Sequence, residues 1–176
     1  VLNGELEILA DGTQTSKVIN ISDGSYGNFQ PDETIEAFDA VGDDHVTHVT
    51  GYFYMNVPGV ITFNSATDDG ARLRIDGVDV IVDDVLHGTR NSIENGLPGT
   101  IELAAGLHQL DYVVWERGGG YSAELSVPLI VGAFPTFASS PCGWELIPPV
   151  DPAEFSTEVV ISGNFVANRD GAAEGS

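Results

Sequence analysis

Alternation of hydrophobic and polar residues is the strongest pattern in the chain, and it begins at His45. The segments HVTHVTGYFYMNV, GVITFNSA and YSAELSVPL are rich in the β-branched and aromatic residues that favour strands. ARLRI and VDVIVDD flank Asp76-Gly77 and predict a hairpin with a tight turn, and TIELAAGLHQLDYVVWE predicts two strands joined around Ala105-Gly106. Many short strands at regular spacing predict an all-β fold, either a β-sandwich or a barrel-like double sheet.

The two ends of the chain are less regular. Asp32–Val41 places Ile35 and Phe38 three residues apart and predicts one short helix. The proline-interrupted apolar segment Ile130–Pro149 favours a stretch that wraps over the sheets. STEVVISGNFVAN predicts a last strand that pairs with the N-terminal GELEIL. No internal repeat is found, so residues 1–176 are interpreted as one domain.

The charge of the chain narrows its possible partners. Six Lys and Arg residues stand against 27 Asp and Glu residues, which gives a net charge of −21 over 176 residues. Nucleic acids and anionic membranes are polyanions, so we expect neither as a partner. The acidity fits a high-salt habitat, high solubility or bound cations. No apolar stretch approaches the ~20 residues of a membrane span, and the single Cys142 excludes an intrachain disulfide.

Two neighbouring carboxylates, Asp68 and Asp69, separate two strand-like runs and are followed by Gly70. The structural interpretation is a turn, because Asp and Gly tolerate positive φ. The chemical interpretation is a cation clamp, which requires the backbone to fold back. A cis peptide bond would do so by bringing the two Cα atoms to roughly 2.9 Å. Calcium is the natural candidate, because it takes ~6–8 oxygen ligands with tolerant geometry.

A second acidic strand end is found in VVWERGGGYSAEL. Glu116 ends an apolar run, and Gly118–Gly120 follows. Consecutive glycines allow unusual backbone angles, so their carbonyls can turn towards an ion, although a flexible hairpin loop is the alternative. Trp115 and Tyr121 flank the glycines, either as stacking platforms for a sugar or as core residues. The two acidic strand ends form one site if their loops meet.

No motif for catalysis is found. The chain has no Ser/His/Asp spacing, Walker loop, zinc motif or dinucleotide fingerprint. The histidines are isolated or, for His45 and His48, are predicted on opposite strand faces, which disfavours a shared metal. We therefore expect no enzymatic activity, although the carboxylates are too numerous for counting alone to exclude a glycosidase pair.

Two long stretches carry a family resemblance. GVITFNSATDDGARLRIDGVDVIVDDVLHG, followed by GTIELAAGLHQLDYVVWERGGGYSAELSV, resembles the fourteen-kilodalton domain named after the anthrax protective antigen, from about Val49 to Val127. Residues 1–44 show no matching motif. The resemblance implies an antiparallel β-sandwich with loop insertions and at most one or two short helices. In the lectin branch, which includes yeast flocculins, yeast epithelial adhesins and bacterial repeats-in-toxin adhesins, a cis-linked aspartate pair holds calcium, and the ion also binds two vicinal sugar hydroxyls.

The resemblance also implies a set of site residues. The implied calcium ligands are the side chains of Asp68, Asp69 and Glu116 and the carbonyls of Gly118 and Gly120. The implied sugar-binding residues are Asp68, Asp69, Glu116, Arg117, Gly119 and Tyr121. Glu116 departs from the family pattern, which usually has Asn or Gln at this position. A carboxylate suits calcium but cannot donate a hydrogen bond, so this departure puts the sugar contact at Glu116 in question.

Together these observations predict a calcium-dependent carbohydrate-binding module of a large secreted or cell-surface bacterial adhesin. We expect a monomeric module within a longer multidomain chain. It would bind cell-surface glycans or polysaccharides through vicinal hydroxyls of a monosaccharide such as fucose or glucose. Two alternatives keep the same fold: a structural module stapled by calcium without sugar binding, and an accessory carbohydrate-binding domain of a glycoside hydrolase.

Overall fold

The computed structural model describes residues 7–8, 12–15, 18–22, 27–29, 43–128, 144–146 and 158–166, and all regular structure in these residues is β-strand. The strands are β1 (Glu7–Ile8), β2 (Gly12–Thr15), β3 (Asn20–Ser22), β4 (His45–Met55), β5 (Gly59–Asp68), β6 (Gly70–Ile75), β7 (Val78–Asp83), β8 (Arg90–Asn91), β9 (Gly99–Leu103), β10 (Gly106–Glu116), β11 (Ser122–Pro128), β12 (Trp144–Leu146) and β13 (Glu158–Val166). No long apolar helix of the membrane-spanning kind occurs among them. The helix predicted at Asp32–Val41 lies outside the described residues, as does most of the segment Ile130–Pro149.

The strands form two antiparallel sheets. The first sheet has the order β1-β13-β4-β10-β6-β7, with β2 beside β13. The second has the order β12-β11-β5-β8, with β3 beside β11 and β9 beside β5. The predicted pairing of the last strand with the N-terminal segment is confirmed, because Glu7 lies opposite Val166. The prediction of an all-β antiparallel sandwich is likewise confirmed.

The alternation in the sequence explains how the sheets face each other. Along β4, residues at every second position from His45 to Phe53 are buried, while the residues between them are partly or fully exposed. β10 shows the same period of two. Because successive strand residues point to opposite faces, one face of each long strand is directed into the core.

The core lies between the two sheets and contains both aromatic and hydrogen-bonded contacts. Phe53 of the first sheet meets Phe63 of the second edge to face, with ring centroids 5.6 Å apart. Tyr112 is fully buried, and its hydroxyl lies 2.7 Å from Ser65 Oγ and donates to the Glu124 carbonyl at 3.3 Å. These contacts link β10 to β5 and β11, so the buried tyrosine fixes the two sheets relative to each other.

The β6–β7 hairpin contains the predicted tight turn and an ion pair. Asp76 and Gly77 both have positive φ, 50° and 79°, as a type I′ turn requires. The Asp76 carboxylate lies 2.7 Å from His108 Nδ1 and accepts the Gln109 N–H at 2.8 Å. His108 Nε2 lies 3.0 Å from the Ala104 carbonyl, so both ring nitrogens face acceptors. The hydrogen bond between Asp76 and His108 lowers the pKa of Asp76 and raises the pKa of His108.

Gly70 is required by packing rather than by a turn. It lies opposite Trp115 in the β6–β10 pair, and the Trp115 indole covers it. A Cβ atom at position 70 would overlap the indole and lie 2.5 Å from the Asp83 carbonyl oxygen. The carbonyl belongs to the backbone, so a side-chain rearrangement alone would not relieve that contact.

Replacing His108 by Gln should flatten the pH dependence of stability. The raised pKa of His108 means that its stabilisation is complete below its unfolded value of about 6.5 and is lost as the pH rises through the folded pKa. In EDTA, the melting temperature of the wild type should therefore exceed that of H108Q by more at about pH 5.5 than at about pH 9. Asp76→Asn should give the same flattening. If the wild type and H108Q differ in melting temperature by the same amount at both pH values, that result would contradict the ion pair.

Gly70→Ala should destabilise the domain because the new methyl group has no space. Overpacking of this kind costs about 1–3 kcal/mol, which urea denaturation at constant pH would detect. Gly59→Ala is the matched control, since nothing lies within 4 Å of a Cβ at position 59. Equal urea midpoints for the two variants would contradict the close packing of the Trp115 indole and the Asp83 carbonyl around Gly70.

Candidate cation site

Asp68-Asp69-Gly70 crosses from one sheet to the other. Asp68 is the last residue of β5 in the second sheet, and Gly70 is the first residue of β6 in the first sheet. β5 pairs with β8, β9 and β11, whereas β6 pairs with β7 and β10. The interpretation of the two aspartates as a plain hairpin turn is therefore wrong.

The glycine loop, residues 117–121, is a second crossing beside the first. It joins β10 of the first sheet to β11 of the second. Asp68, before the first crossing, lies opposite Ser122, which follows the second crossing. Gly70, at the end of the first crossing, lies opposite Trp115, near the start of the second. The Asp69 N–H also donates to the Trp115 carbonyl at 3.2 Å. Strand pairing on both sheets thus brings the two acidic strand ends together.

Three carboxylates meet where the crossings adjoin. Asp68, Asp69 and Glu116 form the carboxylate cluster, in which one oxygen from each residue lies within 4.8 Å of the others. The peptide bond between Asp68 and Asp69 is cis. The three residues are only 7%, 5% and 4% exposed. The side chains that the sequence singled out are therefore neighbours in space and shielded from bulk water.

Hydrogen bonds from the β7–β8 loop orient both aspartates. The Thr89 N–H and hydroxyl donate to Asp68 Oδ2 at 2.9 and 3.0 Å. The His87 N–H donates to Asp69 Oδ1 at 2.8 Å, and the Arg117 N–H of the glycine loop donates to Asp69 Oδ2 at 3.0 Å. Carboxylates held by such donors have little rotational freedom, which preorganises them for a shared ligand.

The β7–β8 loop is itself held by a buried ion pair. Asp83 is 4% exposed and lies 2.6 Å from Arg90 Nη2 and 3.2 Å from His87 Nε2. These contacts tie the two ends of the loop that presents the His87 and Thr89 amides. Sequence reasoning assigned no role to Asp83, Thr89 or Arg90. The relevant sequence signal was Leu86-His87-Gly88, which ends the first of the two stretches that resemble the family.

The cluster is electrostatically unfavourable without a cation. Unit charges 4 Å apart repel by about 4 kcal/mol at an effective dielectric constant near 20. Burial raises the pKa of Asp68, and the Asp69 charge adds to this effect, while the hydrogen bonds from Thr89 oppose it. Three buried carboxylates that face one another therefore favour a positive ion between them.

The donor set fits a hard divalent cation such as calcium. The cluster supplies carboxylate oxygens alone, without a histidine nitrogen or a thiolate. Within the described part of the chain, hydrogen bonds to Asp68 are directed at Oδ2, which leaves Oδ1 for an ion. Calcium accommodates irregular oxygen shells more readily than magnesium, which demands near-octahedral geometry.

The remaining predicted residues divide between the loop and the core. Gly118 and Gly119 are exposed, while Arg117 and Gly120 are half-buried, so the glycine loop is open to solvent beside the cluster. The Gly118 N–H donates to Glu116 Oε1.

Tyr121 is the last residue of the glycine loop, but its side chain is buried in the core and does not face the solvent. Its side chain is 1% exposed, its hydroxyl donates to Thr47 Oγ1 at 2.6 Å, and its ring packs edge-on against His45 at 4.5 Å. The predicted sugar contact at Tyr121 is inconsistent with this burial, and the core interpretation fits it.

Comparison with known proteins identifies the fold family. The family model described as the PA14 domain matches residues 3–114. An anti-sigma factor domain-containing protein of known structure aligns with a TM-score of 0.53 and 22% identity, covering 76% of this chain and 39% of that chain. The PA14 domain of the MpAFP antifreeze protein aligns with a TM-score of 0.47 and 15% identity, covering 90% of this chain and 74% of that chain. No curated protein matches the sequence significantly.

The family match extends the resemblance seen in the sequence. It begins at residue 3 and so includes the N-terminal segment in which no motif was recognised, and it ends at residue 114, before Glu116 and the glycine loop. The matched range is more than half of the chain. The chain therefore belongs to the PA14 domain family.

Proposed function

We propose that this domain is a calcium-dependent carbohydrate-binding module. The PA14 family includes carbohydrate-binding modules, and one observation supports such a role here. Three buried carboxylates from two adjoining inter-sheet crossings lie close enough to share one cation. A calcium ion bound there would attract the oxygens of two vicinal sugar hydroxyls, which is the chemistry that the proposal requires of it.

The number of protein ligands fits a calcium ion that keeps coordination positions free for a sugar. Asp68, Asp69 and Glu116 supply three side chains, whereas calcium takes ~6–8 oxygens. We assign the carbonyls of Gly118 and Gly120 to two further positions. The remaining positions are available to ligand hydroxyls. This shell requires the glycine loop to stay close to the cluster, and the hydrogen bonds from Arg117 and Gly118 to Asp69 and Glu116 support that arrangement.

The surroundings of the cluster suit a neutral sugar. The exposed Gly119 and the half-buried Arg117 lie in the glycine loop. Val85 and Leu86, each 52% exposed, directly precede His87, whose N–H binds Asp69. A few polar groups beside apolar side chains match a pyranose, which has both hydroxyls and C–H faces.

Glu116 supports one competing function, a structural module stapled by calcium. Its carboxylate is 4% exposed and accepts the Gly118 N–H. A carboxylate cannot donate a hydrogen bond to a sugar oxygen, whereas the amide usual at this position can. The staple and the lectin share the cation site and differ in whether a sugar reaches the ion.

The biological setting follows as part of the same proposal. This chain spans 39% of the length of the anti-sigma factor domain-containing protein that it resembles. We propose a non-catalytic monomeric module of a secreted or cell-surface bacterial adhesin that binds cell-surface glycans or polysaccharides. Open single sites of this kind bind weakly, and a surface protein that presents many copies gains strength through avidity.

Asp68→Asn should change stability in opposite directions with and without calcium. The asparagine oxygen can keep both hydrogen bonds from Thr89, so the substitution mainly removes a buried charge. In EDTA at neutral pH, D68N should melt above the wild type because repulsion within the cluster is relieved. In calcium at about 100 times its Kd, the wild type should gain about 5–10 °C, and D68N should gain little.

Glu102→Gln is the matched control for this comparison. Glu102 is an exposed carboxylate on β9, opposite Val60 near the start of β5 and far from Asp68 at its end. E102Q should retain the full calcium shift in a thermal scan. A calcium shift in D68N as large as that of the wild type would exclude the cluster as the ion site.

A sugar should add a further shift only when calcium is present. We would measure thermal unfolding with fucose, glucose, mannose and galactose at tens of millimolar, each with calcium and with EDTA. Methylated analogues in which no two neighbouring hydroxyls are free are the control ligands, because they cannot chelate the ion. A calcium-dependent shift with a parent sugar and none with its analogue would support the lectin, whereas calcium shifts without any sugar effect would favour the structural staple.

A further inference from the structure

Asp43 is a fourth carboxylate beside the glycine loop and lies outside the carboxylate cluster. It is exposed and directly precedes Asp44, which has a positive φ of 60° and leads into β4. His45, the first residue of β4, lies opposite Glu116, the last residue of β10. Continuing this antiparallel register by two residues brings Asp43 opposite Gly118. The topology therefore holds Asp43 at the edge of the glycine loop.

Two independent contacts join Asp43 to the glycine loop. The Gly119 N–H donates to Asp43 Oδ1 at 3.2 Å. A Cβ atom at position 118 would lie 3.1–3.3 Å from the carboxylate carbon and both oxygens of Asp43, so the carboxylate also packs against the Gly118 backbone. Gly119 itself has a φ of 115°, a conformation that favours glycine.

The contact from Asp43 completes a series along the loop. Three successive backbone N–H groups each donate to a different carboxylate: Arg117 to Asp69, Gly118 to Glu116, and Gly119 to Asp43. The first two acceptors belong to the carboxylate cluster, and the third does not. The cluster therefore accepts hydrogen bonds from the start of the loop, and Asp43 accepts one from its middle.

We propose that Asp43 is a positioning residue that holds the glycine loop in its conformation and thereby strengthens cation binding at the carboxylate cluster. The proposed loop carbonyl ligands, Gly118 and Gly120, lie on either side of the residue that Asp43 holds. Loss of the Gly119 contact frees this part of the loop, so the ion must order it on binding. The effect on cation affinity rests on the proposed function, whereas the effect on loop conformation does not.

The test compares Asp43→Ala with Asp43→Asn. Alanine removes the acceptor, whereas asparagine removes the charge but keeps an oxygen that can accept the Gly119 N–H. The first readout is the amide proton shift and hydrogen-exchange rate of Gly119 in EDTA, measured by NMR with Gly106 as an internal reference. D43A should shift the Gly119 amide and raise its exchange rate several-fold, and D43N should leave both near the wild type.

The second readout is the calcium affinity, obtained from titration of calcium chloride against a competing chelator. D43A should raise the Kd by about 3- to 10-fold, whereas D43N and the distant control Glu102→Ala should stay within about 2-fold. An unaltered Gly119 amide in D43A would overturn the positioning role. A Kd that rises equally in D43N and D43A would also overturn it, because charge alone would then explain the effect.

These readouts separate the inference from the proposed function. One outcome is that the wild type binds no calcium, while the Gly119 amide still changes in D43A. That outcome would support the loop contact and refute the calcium module. Calcium binding that is normal in D43A, together with a changed Gly119 amide, would overturn the claim that the loop conformation strengthens cation binding.

Discussion

The two neighbouring crossings between the sheets are the constraint on which the site depends. β5 pairs with β11 in one sheet, and β6 pairs with β10 in the other, so the segments that join β5 to β6 and β10 to β11 must cross side by side. Strand pairing in the two sheets therefore determines that these two segments lie next to each other. Side chains distant in sequence, such as Asp69 and Glu116, therefore meet through backbone pairing rather than through attraction for each other.

The carboxylate cluster lowers the stability of the fold where the two crossings adjoin. The carboxylates repel one another, and hydrogen bonds from backbone amides and from Thr89 offset part of that cost. Rigid packing surrounds them: the Trp115 indole covers Gly70, and the ion pair of Asp83 with Arg90 holds the adjacent loop. This arrangement concentrates negative charge within closely packed surroundings, which supports the proposed cation site.

Much of the fold could be predicted from the sequence, but only part of the site. Strand alternation and the Asp76-Gly77 turn are local signals. The paired aspartates and the acidic strand end before the glycines are local signals too, and they indicated Asp68 and Glu116 as candidate ligands. The amides of His87 and Thr89 could not be predicted, because every residue has an N–H group and its direction depends on the fold. The burial of Tyr121 was ambiguous for a related reason: an aromatic residue next to a loop has the same sequence signature whether its ring faces the solvent or the core.

The position of β13 has a consequence for how the domain is synthesised. β13 is the last of the described strands in sequence, yet it lies inside the first sheet, between β1 and β4. Among the described strands, β13 is the partner of β1, of β2 and of one edge of β4, so these pairs cannot form until β13 has emerged from the ribosome. A nascent chain can therefore form the β4–β10 pair before β13 has emerged, but the described part of the first sheet is completed only after β13 is available. Loss of β13 by proteolysis would remove an interior strand rather than an edge strand.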